Sequence, residues 1–282
     1  SLSHSGFGDI RIGENRSHGY EGWGMTPYYS INDRDPYSPS PLENENPLIQ
    51  KNTGYNQFDL LQKFLFQVGD QNQLVLNLQY SKSSDISRYD KLIEGENNSL
   101  RYAEWYYGPQ KRFLFSPQFK IFPEKKYLNS GKITFALQNL EESRVNRFFS
   151  SLTRNHQTEK VNALSLNGDF EFKHKENASF SYGFEGVYND VSSFAFKNDL
   201  LLQQNQIIGY TPRLPIPTRY PSRGSSYMSY AVYLNWIWNV TSRLTLNAGV
   251  RLTSTHLDGS WKEFYNINAL LSEVNLDSEA LT

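Results

Sequence analysis

From Ser226 to Leu257 polar and apolar residues alternate around a tight turn at Asn239–Ser242. On the first arm Met228, Tyr230, Val232, Leu234, Trp236 and Trp238 share one parity, against Ser229, Ala231, Tyr233 and Asn235. On the second, Leu244, Leu246, Ala248, Val250 and Leu252 alternate with Thr245, Asn247, Gly249, Arg251 and Thr253. Side chains alternate faces along a strand, so the pattern predicts a hairpin with one apolar and one polar face. Each arm is longer than the roughly 5–6 residues usual in water-soluble sheets. Aromatic residues sit at both ends of its apolar face. From Met228 to Trp238 an extended chain climbs about 33 Å, and a tilt of roughly 40° leaves about 25 Å, close to the height of the lipid-facing band of an outer-membrane barrel.

The alternation recurs along the chain. A first strand is predicted over Leu2–Gly13, then a long loop over 14–53 rich in Gly and Pro. A second strand covers Tyr55–Gln67 (Phe58, Leu60, Phe64, Phe66) and a third Gln73–Ser81 (Leu74, Leu76, Leu78, Tyr80). After a loop over 83–110, the fourth, Lys111–Phe122, carries Phe113, Phe115, Phe119 and Ile121, with a bulge expected at Pro117. The fifth starts near Lys132 (Ile133, Phe135, Leu137), with a polar extension towards Arg147, and a loop follows over 150–160. The sixth (Asn162–Lys173) and seventh (Ala178–Asn189) lead into a loop over 190–224, the opening hairpin and a last loop from Asp258.

Connections therefore alternate long and short, as the extracellular loops and periplasmic turns of such barrels do. Asp70, Glu124, Lys175 and Thr241 are expected at the periplasmic rim, and the loops bearing Trp23, Trp105, Asn155 and Arg213 outside. Bacterial barrels have an even strand number, and open edges are not tolerated in lipid. The fold class is thus an all-β, antiparallel transmembrane β-barrel, incomplete, with about nine strands of a larger barrel. Ser1 begins in strand-like sequence with no signal peptide, which fits a segment of a longer chain.

Composition narrows the field. A net charge of −1 with scattered Lys and Arg gives no electrostatic case for nucleic acid. Cysteine is absent, so disulfides and thiolate metal sites are excluded. Aromatics reach 15%, with 19 Tyr and 18 Phe, yet no apolar run of the ~20 residues needed by a membrane helix exists. A barrel has no such need, because half of each strand faces a polar lumen. A secreted or surface carbohydrate-binding β protein shares this composition and remains the rival from another class.

Several stretches, in order, resemble the barrel of TonB-dependent outer-membrane receptors. They are Ser5-Gly6-Phe7-Gly8-Asp9-Ile10-Arg11, Gly54-Tyr55-Asn56-Gln57-Phe58-Asp59-Leu60-Leu61, Arg88-Tyr89-Asp90-Lys91-Leu92 and Glu104-Trp105-Tyr106-Tyr107-Gly108-Pro109-Gln110. Gln138 to Arg147, Tyr220-Pro221 to Ser226-Tyr227 and Asn247-Ala248-Gly249-Val250-Arg251 continue the series over nearly the whole chain. The sequence most resembles the haem, haemoglobin and iron-chelate receptors of Bacteroidetes-type bacteria. The resemblance implies a barrel of about 22 strands with a plugged lumen. It also implies a bacterial outer-membrane location, and a plug and TonB-contacting peptide ahead of residue 1. Later strands, with a motif around Phe-Arg-Ala-Pro, would follow residue 282. The chain would then be the N-terminal portion of the barrel. Its partners would be outer-membrane lipid, the TonB complex through the plug, and an iron chelate or haem as transported ligand rather than cofactor. Cobalamin or glycan import by the same family is the alternative, and a passive porin a further rival.

No nucleophile, base and orienter fall together and no phosphate loop is present, so no enzyme is expected. Ligand-binding candidates in predicted outer loops or strand ends are His18, His156 and His256, for axial haem ligation, and Tyr20, Trp23, Trp105, Tyr106 and Tyr107, for a planar or sugar-like ligand. Loop packing is the plainer role for each. His4 and His174 are placed in a strand and a periplasmic turn. Asp33, Asp35, Glu43 and Glu45 lack the spacing of a calcium loop, and no metal site is assigned. Arg112, Lys120, Lys132, Asp169, Glu171, Glu185 and Arg251 are expected to face the lumen and the plug.

Overall fold

The structure is a computed structural model. It describes residues 4–15, 28–29, 40, 42–43, 51–97, 99–123, 128–149, 151–174, 177–204 and 206–261, with only the backbone course for the strands before residue 44. Nine long strands succeed one another in one antiparallel sheet. They are β1 (His4–Asn15), β2 (Tyr55–Val68), β3 (Asn72–Ser83), β4 (Lys111–Ile121), β5 (Ser130–Phe148), β6 (Thr153–Lys173), β7 (Ala178–Gln203), β8 (Ser225–Thr241) and β9 (Leu244–Gly259). Each is hydrogen-bonded to its chain neighbours, and β1 and β9 stand at opposite ends of the path. All nine predicted strands are present.

Alternation sets the faces. Directly paired residues share a face, so Phe66, Leu74, Phe119, Ile133, Gly168, Phe184, Val232 and Leu252 form one continuous row across eight strands. Parallel rows carry Phe135, Leu166, Gly186 and Tyr230, and Phe172, Phe180 and Trp236. Among the described residues no second sheet covers this face, and Leu166, Tyr230, Val232 and Leu252 stay exposed. A sandwich that buries its apolar rows between two sheets is therefore not the fold. Rings fill the gaps left by small residues: a Cβ on Gly168 would strike the Phe184 ring at 2.4 Å. Stacked Phe172–Phe180 (5.1 Å) and Trp236–Trp238 (5.5 Å) mark the short-turn end, where aromatic girdles are expected.

Four expectations need correction. The loop placed at 150–160 is mostly strand, since β6 begins at Thr153 and pairs with β5 up to Asn146↔Asn155. The loop at 190–224 likewise starts as strand: β7 runs to Gln203 and the chain returns as the short strand Gln206–Tyr210. In the loop at 83–110, a single helical turn, Tyr89–Leu92, precedes the short strand Tyr102–Tyr107, which pairs with the outer end of β5. The outer ends are thus extensions of the sheet. Pro117 makes no bulge; pairing to β5 lapses at Ser116 and Pro117 and resumes at Gln118↔Thr134 in the same register. Proline cannot donate to the ladder, but its ring fits an edge of missing bonds without an extra residue.

Short turns after β2 and β8 place Asp70 and Thr241 at one end of the sheet, as expected. Glu124 and Lys175 lie outside the described residues.

Candidate functional site

The polar face carries a charged ladder. Lys120, Lys132, Asp169, Gly183, Tyr233 and Arg251 are successive direct partners across six strands. Lys132 Nζ lies 3.1 Å from Asp169 Oδ2, and the Tyr233 hydroxyl donates to Asp169 Oδ1. Tyr233 reaches β6 by passing over β7, which is possible because residue 183 is glycine: a Cβ there would meet the Tyr233 hydroxyl at 2.5 Å. Arg251 Nη2 pairs with Glu185 Oε2 at 3.3 Å. Arg112 donates to Gln138 at 3.2 Å and Ser130 to Glu171 at 3.4 Å. All seven residues read as lumen-facing stand opposite the apolar rows. Nearer the outer end a hollow of about 550 Å³ lies against Asp59, Ser81, Arg112, Leu140 and Glu142.

At the outer end of the same face, cations and rings interleave. Tyr107 pairs with Arg144, and Trp105 with Asn146. Register along β5 is unbroken from Gly131 to Asn146, so Arg144 shares the face of Gln138 and Leu140 rather than of Phe135 and Leu137. The Trp105 and Tyr107 rings meet edge-on at 5.0 Å. The Arg88 guanidinium lies 4.7 Å from the Trp105 ring centre and 5.4 Å from that of Tyr107, and Arg144 lies 5.4 Å from Tyr107 on its own account. Arg88 also donates to the Tyr107 hydroxyl at 2.8 Å and to Asp90 at 2.9 Å, and it holds the Asp90 carboxyl below the usual range. Gly108 joins this strand to β4 with φ +140, and a Cβ there would run into the Asp85 backbone at 2.6 Å.

The remaining candidates are dispersed. His18, Tyr20 and Trp23 lie outside the described residues. Tyr106 alternates with Trp105 and Tyr107 and takes the opposite face, paired with Val145. His156, a β6 residue on the parity of the apolar rows, stacks on Phe196 at 4.5 Å. Burial, with Arg154 nearby, pushes its imidazole down to about 4, so it is neutral. His256 sits near the outer end of β9, 3.1 Å from Asp258. Sequence reasoning missed Arg88 and Arg144; the available signal was the i, i+2 spacing of Trp105 and Tyr107, which sets both rings on one face of a strand.

Two more features went unread. Glu142 and Glu159 are direct partners on the inner face. Arg144 holds Glu142 at 2.9 Å, whereas Glu159 is buried and neither of its carboxylate oxygens has a hydrogen-bond partner among the described residues. Burial raises the Glu159 carboxyl above its ordinary value; Glu142 adds to this, while Arg219 and Arg144 oppose it. The folded form therefore binds the proton more tightly than the unfolded one. Stability of the outer extension falls as pH rises from the unfolded value of about 4.3 through the raised folded one. Glu159→Gln is expected to remove that loss. Protease resistance of the extension, compared with the parent at each pH, should match it at pH 4 and exceed it at pH 8.

On the other face, above the apolar rows, the Glu104 carboxylate is shared by two guanidinium groups. Arg147 Nε lies 2.9 Å and Arg154 Nε 2.8 Å from Oε2, and Arg154 Nη2 also donates to Oε1. All three residues are buried, Arg147 completely. Arg154 Nη1 further donates to the Tyr210 hydroxyl at 2.6 Å, which ties in the strand returning from β7.

Comparison with known proteins is consistent with this architecture. The model of the family described as "TonB dependent receptor-like, beta-barrel" matches residues 9–269. Among solved structures the chain is similar to one named "Copper transporter OprC", with a TM-score of 0.55 and 10% identity over 89% of this chain and 34% of that one. The chain thus spans about a third of the length of that structure. No curated protein matches. Receptors of this family are transport proteins of the bacterial outer membrane, which places the exposed apolar rows in lipid. The chain belongs to the TonB-dependent receptor β-barrel family.

Proposed function

We propose that this segment is the N-terminal part of the barrel of a receptor that takes up an anionic iron chelate or haem with energy passed through TonB. The plug and the remaining strands would come from the rest of a longer chain. The reading rests on the Arg88–Trp105–Tyr107–Arg144 cluster, on the polar face at the loop end, where a ligand arrives from outside. Flat aromatic rings suit a planar ligand, and guanidinium groups suit carboxylates or catecholate oxygens. The seven charged residues of the inner ladder would meet the plug, and no covalent chemistry is required of this wall.

Copper, which the similar structure is named for transporting, is less suited as cargo here. Likeness at 10% identity speaks for the fold alone. Among the described residues no three His, Asp or Glu side chains gather into a metal site, and the whole chain has two Met and no Cys, whereas copper favours thiolate, thioether and imidazole ligands.

The test is titration of the full-length receptor with haem and with a ferric catecholate chelate, followed in the Soret region and by fluorescence. Binding is expected for one of them, and Arg88→Ala with Arg144→Ala should weaken it about tenfold or more, the loss of roughly 1.4 kcal/mol. Binding of neither, or tight binding of cobalamin or a glycan instead, would overturn the ligand assignment and leave the fold untouched.

A further inference from the structure

The lipid-facing wall changes character within one step along its strands. One row reads Leu60, Tyr80, Phe113 and Asn139; two residues further towards the loop end, on the same face, the next reads Phe58, Lys82, Lys111, Glu141 and Lys160. Two ammonium groups therefore share one carboxylate, with a third beside them. Lys111 Nζ lies 2.9 Å from Glu141 Oε1 and Lys160 Nζ 3.2 Å from Oε2, while Lys82, exposed, stands directly opposite Lys111. Lys111 and Lys160 stay partly open to the outside as well.

We infer that this row is a binding site for a phosphate-bearing lipid of the outer leaflet, the patch Lys82–Lys111–Lys160 clasping the headgroup phosphate. The location selects this occupant. Lys82 and Lys111 stand one step above Tyr80 and Phe113, at the upper edge of the apolar rows, and Lys160 one step above Asn162, so the methylene stems start at the edge of acyl-chain level and the ammonium groups reach the headgroups. Neighbouring strands are about 4.8 Å apart, so a row from β3 to β6 spans roughly 14 Å, enough for both ends of a sugar headgroup phosphorylated twice. Charge complementarity is local. On β7 the lysine row continues as the neutral Ser192, and one step lower, across β7 to β9, the outward row reads Asp190, Ser226 and Asp258, whose two carboxylates would repel a phosphate. Anionic headgroups are thus drawn to one side of the wall rather than spread around it. Glu141 separates Lys111 from Lys160 and competes with the phosphate for both.

The test uses the full-length receptor in vesicles of phosphatidylcholine doped with diphosphorylated lipid A or its dephosphorylated form, with retained lipid counted by native mass spectrometry after extraction. The diphosphorylated lipid should be retained at least tenfold better than the dephosphorylated one, and inorganic phosphate should not displace it. Each of Lys82→Gln, Lys111→Gln and Lys160→Gln should lower retention several-fold, since a basic residue near an anionic surface contributes about 1 kcal/mol, or about fivefold. Glu141→Gln should raise it, a gain that a merely structural carboxylate would not produce. Equal retention of the two lipids, an unaffected triple Lys→Gln variant, or weaker retention by Glu141→Gln would each overturn the proposal. Heat-dependent mobility on gels confirms that every variant is folded.

Discussion

Replacing Glu104 by alanine is expected to cost about 3–5 kcal/mol, because it removes the one carboxylate that two buried arginines share. Arg147 has no exposed surface, and its Nη2 already lacks a partner among the described residues. Without Glu104 both guanidinium groups would need water, and the outer extension would have to open to supply it. The loss is expected to be local. Glu104 belongs to the short strand Tyr102–Tyr107, Arg147 to the end of β5 and Arg154 to the start of β6, all beyond the apolar rows. A protease added to the folded receptor should therefore cut the variant within 84–101 and 199–211, segments held against the triad by Tyr102–Tyr107 and by the Tyr210 hydroxyl. The barrel itself should keep its heat-dependent mobility on gels. Replacing all three residues with apolar side chains of similar volume is expected to restore protease resistance, since a buried ion pair is often no better than good packing. Unchanged cleavage in Glu104→Ala would mean that the triad is already hydrated.

The physics that makes the triad matter also hid it. Glu104 stands 43 residues from Arg147 and 50 from Arg154, so no local pattern links them. The wall was legible because lipid imposes a period of two: Leu164, Leu166, Phe170 and Phe172 alternate with Ser165, Asn167, Asp169 and Glu171 wherever one face meets acyl chains. Above the membrane both faces meet water or other polar groups, and the hydrophobic signal vanishes although the strands continue. Asn155-His156-Gln157-Thr158-Glu159-Lys160 reads as a loop for that reason, yet all six residues are paired with β7. Among the described residues, the loops inferred from polarity at 150–160 and 190–224 are therefore largely an extended rim, which can hold Arg144, Trp105 and Tyr107 more rigidly than a loop would. The candidate site was half legible. Two of its rings stood out by type and spacing, while its two arginines could be placed only through register, Arg144 opposite Tyr107 and Arg88 from the helical turn.

Leu166→Arg is expected to destabilise the barrel by about 2–4 kcal/mol, while Ser165→Arg, one residue away, should cost under about 1 kcal/mol. The two positions differ in face alone. Leu166 sits in the middle of the apolar rows, between Phe135 and Gly186, and is 45% exposed, with none of the described residues covering it. An arginine there meets the hydrocarbon interior, where its guanidinium must distort the bilayer or reach for a distant headgroup. Ser165 pairs with Ala136 and Val187 on the wet face, where a charge joins Lys132, Asp169 and Glu185. The measurement is guanidinium-induced unfolding of the full-length receptor in lipid vesicles, read by tryptophan fluorescence from Trp236 and Trp238 at the short-turn girdle. The gap between the two variants should shrink when vesicles are replaced by detergent micelles, which hydrate a stray charge more readily. If the serine variant proved the costlier of the two, the faces would be reversed: the Leu, Phe and Trp rows would line the cavity and the charged ladder would lie in lipid. The energetics of membranes forbid that arrangement for Lys132, Asp169 and Glu185 together, so the sign of this one difference tests the orientation on which both the ligand cluster and the lysine row depend.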